Sequence, residues 1–173
     1  MLILKTPQEC FKYRKKLQGS LGLVPTMGAL HEGHLSLVKK SQGLCANTIV
    51  SIFINPNQFG PDEDLKQYPS SVNQDLDTLK SLGVGCVFLP ETKSVYKTNH
   101  SIYVFENCLA RVLEGASRPD FFQGVLTVVV KLFNLFKPTH TFFGQKDAQQ
   151  LLIIQKLIQD MNYNIQLIKM PTV

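Results

Sequence analysis

The densest chemistry in this chain lies in Thr26-Met27-Gly28-Ala29-Leu30-His31-Glu32-Gly33-His34. Two imidazoles at i, i+3 fall on one side wherever the segment is helical. Gly28 and Gly33 lack a Cβ, so the backbone can turn sharply and a ligand can approach closely. A helix starting here would aim free N–H groups and the positive end of its dipole at the same place. Met27 to His34 therefore offer a polyphosphate site, with backbone donors beside two imidazoles. The competing readings are a loop with two surface histidines and a zinc site. The zinc string H-E-x-x-H needs i, i+4, whereas the spacing here is i, i+3 with no third ligand evident. No metal ligands are assigned.

A second group is Gly144-Gln145-Lys146-Asp147, which follows the apolar run Thr141–Phe143. Lys146 offers a mobile point charge for phosphate oxygens. Asp147 can accept from ribose hydroxyls or cap the next helix. Gln150, one turn on, and Gln58, after a long β-branched run, offer amides suited to a small acid with hydroxyls. Taken singly, either glutamine is more often a solvated residue. The P-loop string is absent. Gly83-Val-Gly85 starts a G-x-G, but Phe88 stands where the third glycine belongs.

These groups need elements to position them. Leu21–Pro25 and Thr48–Ile54 read as strands, the latter ended by Asn55-Pro56-Asn57. A helix is expected from about His34 to Ser41. Another carries Val72, Leu76, Leu79 and Leu82 and ends at Gly83. Cys86–Leu89 and Ile102–Phe105 read as strands, and Gly115–Asp120 as a loop. Val125 to Phe136 form a helix with a wide apolar stripe, stopped by Pro138. Thr141–Phe143, a helix from Leu151 to Met161, and Ile165–Ile168 complete the pattern. Alternating strands and helices imply an α/β fold with a mostly parallel sheet covered on both faces. Ligands in such folds sit beyond the carboxyl ends of the strands. Pro25–His34, Asn55–Gln58 and Gly144–Gln150 all fall there.

Composition agrees with one compact domain. The chain has 173 residues, 44% of them apolar, and a formal net charge of +5. The lysines are dispersed, which argues against nucleic-acid binding. Lys5, Lys12, Lys15 and Lys16 read as a solvated helical face. Cys10, Cys45, Cys86 and Cys108 form no C-x-x-C pair, so neither a disulfide framework nor a cysteine zinc site is expected. Cys86 reads as a small buried hydrophobe. The N-terminus lacks a signal-peptide plan and no apolar run spans a bilayer, so a cytoplasmic protein is expected.

Several motifs together resemble one family. Val24–His34, Phe53-Ile-Asn-Pro-Asn-Gln-Phe59, Tyr68-Pro69, Glu114-Gly-Ala-Ser-Arg-Pro119, Phe143–Asp147 with Gln149-Gln150, and Pro171-Thr-Val173 are similar to the pantothenate synthetase (pantoate–β-alanine ligase) family. The resemblance implies a Rossmann-like domain of the class I aminoacyl-tRNA synthetase type. It implies ATP and Mg²⁺, with pantoate and β-alanine as substrates. Pantoate would attack the α-phosphorus to give pantoyl adenylate, and β-alanine would then displace AMP. A cytoplasmic homodimer is implied, with no membrane or nucleic-acid partner.

By the same resemblance, Met27, Gly28, Ala29, Leu30, His31, Glu32, Gly33 and His34 would line the ATP phosphates. His34 would be the proton donor, with His31 beside it. Gly144, Gln145, Lys146 and Asp147 would bind ATP, Lys146 on phosphate and Asp147 on ribose, and Val173 would lie near adenine. Gln58 would touch pantoate and β-alanine, Gln150 and Met27 pantoate, and Arg118 matches an active-site-loop arginine. Phe121, Gln145 and Ala148 depart from the family pattern. Phe121 stands where relatives often carry a histidine, which removes one possible phosphate donor.

The family continues into a smaller C-terminal domain with a Ser-Ser-Arg-Asn-type loop over the phosphates, and this sequence ends at Val173. Residues 1–173 are thus expected to be the Rossmann-like domain without that lid. Loss of a charged donor of this kind costs on the order of 10²–10³ in rate. The alternative expectation is an ATP- and pantoate-binding domain with little turnover. A nucleotidylyltransferase sharing the histidine motif is a further rival.

Overall fold

The computed structural model describes residues 1–60 and 71–173. Six strands form one sheet: β1 (Leu2–Leu4), β2 (Leu21–Thr26), β3 (Asn47–Ile52), β4 (Cys86–Phe88), β5 (His140–Gly144) and β6 (Gln166–Met170). Their order is β1-β4-β3-β2-β5-β6, and every pairing is parallel. Parallel neighbours need long crossovers, which helices supply. The helices are α1 (Pro7–Arg14), α2 (Glu32–Leu44), α3 (Val72–Ser81), α4 (Thr92–Val95), α5 (Glu114–Ser117), α6 (Phe121–Phe136) and α7 (Ala148–Asp160). The fold is the α/β, Rossmann-like arrangement that the alternation of elements implies.

Side chains alternate across a strand, so the central strands feed two apolar layers. Leu23, Ile49, Cys86 and Phe143 belong to the layer that includes Cys10 of α1, Phe133 of α6 and Ile154 of α7. Val24, Val50, Val87 and Phe142 belong to the layer under Leu37 and Val38 of α2 and Leu79 of α3. With both faces covered, β2 and β3 carry nearly unbroken runs of buried residues. The helices begin and end for local reasons. Pro7 opens α1 behind a capping box made by Thr6 and Glu9. Lys137, left-handed at φ 45°, closes α6 by giving its N–H to the Phe133 carbonyl, and Pro138 follows.

The topology also fixes where a ligand can enter. The chain adds β3 and β4 on one side of β2, then crosses to add β5 and β6 on the other, so β2 and β5 flank the switch point. β2 pairs with β3 from Leu21↔Asn47 to Thr26↔Ile52. It pairs with β5 only at Gly22↔His140 and Leu23↔Thr141.

The helix of the histidine motif starts earlier than its apolar spacing indicates, at Glu32, and runs on to Leu44. His31 caps it instead of lying within it. β1 and α1 precede the first expected strand, and α5 occupies part of the expected 115–120 loop. The expected strand Ile102–Phe105 does not form. Among the described residues it has no ladder partner; the Val104 N–H donates instead to Thr127 Oγ1 on α6, at 3.0 Å. Ile102, Tyr103 and Phe105 stand exposed. Their β-propensity reflects a fit to a half-buried surface, and here that surface belongs to a helix. The Tyr68-Pro69 motif lies outside the described residues. Among the described residues no helix is long and apolar enough to cross a membrane.

Candidate active site

A cavity of about 510 Å³ opens at the carboxyl ends of β2, β3 and β5. Its volume is in the range of small-molecule sites. The loop after β2 brings Met27, His31, Gly33 and His34 to it. The turn after β3 brings Gln58, and the segment after β5 brings Gly144, Lys146, Asp147 and Gln150. Arg118 and Val173 also line it. Gly28, Ala29, Leu30, Glu32 and Gln145 do not. Gly28 and Ala29 border a separate hollow of about 340 Å³ on the α3 side, with Asp75.

The two imidazoles are held as a pair, with ring centroids 4.1 Å apart. The Gly33 N–H donates to His31 Nδ1 at 3.1 Å, and the His31 N–H donates to His34 Nδ1 at 3.4 Å. An Nδ1 that accepts leaves the ring proton on Nε2, so each ring carries an Nε2–H donor. Burial pushes the His34 imidazolium down to about 4, and the neighbouring His31 pushes the same way. His34 is therefore neutral at pH 7 and serves as a hydrogen-bond donor without a net charge.

The expectation that backbone amides of this loop face the ligand changes accordingly. The Gly28 N–H goes to Thr26 Oγ1 at 3.3 Å. The Ala29 and Leu30 N–H groups go to Asp75 Oδ2 and Oδ1, at 2.9 and 2.8 Å. With the Gly33 and His31 N–H groups also committed, five of the loop's backbone donors are engaged within the protein. Asp75 is not among the residues expected from sequence. Its signal was available: an acid at the i+3 position from Val72 and the i−4 position from Leu79, on the apolar stripe of α3.

The opposite wall carries Gln58. Asn55 is fully buried, and its Nδ2 donates to Gln58 Oε1 at 2.9 Å and to the Gly124 carbonyl of α6 at 3.0 Å. With Oε1 accepting, the Gln58 amide has its N–H₂ left for the cavity. From sequence, Asn55 is no more than part of a turn. Gly124 permits this contact, because a Cβ there would lie 2.1 Å from the Asn57 carbonyl oxygen. Arg118 donates to the Gln58 carbonyl at 3.0 Å and to Glu114 at 2.8 Å, and stacks 4.0 Å from the Phe121 ring centroid. Phe121, the departure from the family pattern, thus packs on the guanidinium. Gln149 ties this wall to α7 by accepting from the Glu114 N–H and donating to the Leu109 and Val112 carbonyls.

Lys146 and Asp147 lie close enough to act electrostatically on His34, in opposite directions. Asp147 occupies the N-cap position of α7 but makes no side-chain capping bond, so the cap is not what its carboxylate does. The cavity can therefore offer imidazole donors, an ammonium and a carboxylate on one side, and an amide held beside a guanidinium on the other. Valines 125, 128 and 129 of α6 form an apolar wall.

Comparison with known proteins shows the family and the fold. Residues 2–173 match the family model described as pantoate-beta-alanine ligase. A pantothenate synthetase from Thermosipho africanus is 47% identical over 176 residues, covering 100% of this chain and 63% of that protein. A pantothenate synthetase structure from Thermus thermophilus superposes with a TM-score of 0.94 at 39% identity, covering 100% of this chain and 62% of its own. A pantoate-beta-alanine ligase structure from Francisella tularensis, complexed with beta-gamma ATP and beta-alanine, gives a TM-score of 0.96 at 40% identity and covers 100% of this chain and 67% of its own. The chain spans about three fifths of the length of the relatives it matches. It belongs to the pantoate-beta-alanine ligase family.

Proposed function

We propose that this chain binds ATP and pantoate in the cavity between β2 and β5 and carries out the pantoate–β-alanine ligase reaction through pantoyl adenylate. The observation that supports this most directly is the convergence of His31, His34, Lys146, Gln58 and Gln150 on one cavity. The Francisella relative, complexed with beta-gamma ATP and beta-alanine, adds support from a protein of the same fold.

In the first step a pantoate carboxylate oxygen bonds to the α-phosphorus, and the bond to the bridging oxygen of pyrophosphate breaks. Negative charge builds on the phosphoryl oxygens. His31 and His34 donate to it from Nε2–H, and Lys146 adds its ammonium. Donors fixed before the reaction need no reorganisation as the charge develops, which makes this the largest catalytic contribution. Asp147 accepts from ribose hydroxyls. Met27, Gln58 and Gln150 hold pantoate, with Arg118 steadying the Gln58 backbone. In the second step the β-alanine amine forms a C–N bond to the acyl carbon, the acyl C–O bond to AMP breaks with the electron pair going to AMP, and the proton lost from the amine passes to solvent. The mixed anhydride activates the acyl carbon, so no serine or cysteine nucleophile is required.

Mg²⁺ in this reaction neutralises triphosphate charge. Among the described residues no group of three or more His, Cys, Asp or Glu is arranged to hold a metal ion. Bound with ATP, Mg²⁺ would supply charge neutralisation at the triphosphate, beside His31, His34 and Lys146. Homodimerisation is proposed from the family resemblance alone. Use of ATP and the free thiols of Cys10, Cys45, Cys86 and Cys108 suit the cytoplasm.

Pyrophosphate release from ATP, with Mg²⁺ and pantoate labelled with ¹⁸O in its carboxylate, tests the reading. Release that depends on pantoate, with ¹⁸O appearing in AMP after β-alanine is added, is the expected result. Tight binding of both ligands without release would leave the chain a binding domain, and release without pantoate would make it a nucleotidylyltransferase.

A further inference from the structure

We infer that Asp75, a residue of α3 outside the cavity, is the positioning residue for the imidazole pair: its carboxylate fixes the Gly28–Leu30 turn so that His31 and His34 face the nucleotide. This rests on the function proposed above. Asp75 is 2% exposed, and its two carboxylate oxygens take the N–H groups of two successive residues, Ala29 and Leu30. The Ser71 hydroxyl donates to Oδ1 at 3.4 Å. The turn it grips is unusual. Gly28 and Ala29 are both left-handed, at φ 88° and φ 50°. Glycine adopts that region freely, but alanine does so only when its surroundings over-determine it. Two hydrogen bonds from one buried carboxylate supply that constraint. The approach is close: a Cβ on Gly28 would sit 3.1 Å from Asp75 Oδ2.

The constraint passes to the site through the next residue. Leu30 gives its N–H to Asp75, and His31 gives its N–H to His34 Nδ1. If the turn relaxes, the His31 N–H loses its direction and the His34 ring is no longer held with its proton on Nε2. An aspartate is required because two N–H groups need two acceptors. The asparagine side chain has one acceptor oxygen and would oppose its own N–H₂ to the second amide.

The test compares the full chain with Asp75→Asn, by long-range ¹H–¹⁵N spectra of the histidine rings, calorimetric ATP and pantoate binding, and thermal melting. The expected result is loss of the single His34 tautomer and ATP affinity weakened about tenfold or more, the scale of misplaced donors. Pantoate affinity should fall less than ATP affinity, because Gln58 shares no partner with Asp75 and, of the groups assigned to pantoate, only Met27 adjoins the turn. Asp75→Glu, which keeps both acceptor oxygens, should recover part of the ATP affinity. Unchanged imidazole spectra and ATP affinity in Asp75→Asn would overturn the inference. So would ATP and pantoate affinities falling together in step with the melting temperature. If Asp75→Asn does not fold, amide exchange in the unaltered chain decides: Ala29 and Leu30 should exchange as slowly as the interior of α3, and fast exchange there overturns the inference. If the unaltered chain binds no ATP, the functional proposal fails, while the tautomer comparison still decides the role of Asp75.

Discussion

The histidine wall and the glutamine wall of the cavity are held by bonds of different reach. On the first, Gly33 donates to His31 two residues away, and His31 donates to His34 three residues away. The second is tied across the fold, by Asn55 to the Gly124 carbonyl 69 residues on and by Arg118 to the Gln58 carbonyl 60 residues back. The first wall closes upon itself and needs the rest of the fold chiefly at Asp75. The second exists only when α6 is packed. In the proposed function, charge chemistry falls to a self-bracing loop, and recognition of the small acid to a surface assembled from distant segments.

Four measurements would break or sharpen that contrast. His34→Ala should slow pantoate-dependent pyrophosphate release by about 10²–10³, the scale for a lost charge-stabilising donor. Pantoate affinity should barely change, and equal losses in both would dissolve the distinction. Gly124→Ala comes next. Its Cβ would meet Asn57 backbone, which cannot swing aside as a side chain can. Urea titration should show a loss of about 2 kcal/mol, typical of overpacking, and pantoate binding should weaken while ATP binding persists. Gln58→Ala should weaken pantoate binding about tenfold, near 1.4 kcal/mol, the scale of a substrate hydrogen bond. ATP titration should be unaffected.

The smallest effect is on pH. The His34 imidazolium is depressed to about 4 by burial and His31, from an ordinary 6.5. Between those values the unfolded chain binds more protons than the folded one, so stability is greatest above the unfolded value and falls as the pH drops. Between about pH 6.5 and pH 5.5 the loss should be about 1 kcal/mol. Melting curves of the unaltered chain and His34→Gln should converge across that interval.

The same contrast explains what could be read from residue order. The histidine and Gly144–Asp147 motifs stood out because strands β2 and β5 each deliver a short polar string directly to the site. Asp75 was legible as an acid on an apolar helix stripe, but its partners lie 45 and 46 residues away and nothing local names them. Asn55 looked like an ordinary turn residue, since its role depends on α6 approaching within contact of Gly124. Ile102–Phe105 misled for the reverse reason: its side chains favour a sheet, yet both places beside a sheet edge, β1 and β6, lie elsewhere. The central strands were legible because continuous burial leaves continuous apolar runs, whereas β1, three residues long and mostly exposed, was not.

The short ladder between β2 and β5 has a mechanical consequence. The sheet is two ribbons, β1-β4-β3-β2 and β5-β6, joined by a ladder of two residue pairs, and beyond it Pro25, Thr26, Phe142 and Phe143 line the cavity. A molecule seated there touches both ribbons and acts as a rivet across the seam. Occupancy would then stiffen both ribbons at once, and slowed amide exchange would spread through β6 as well as β2.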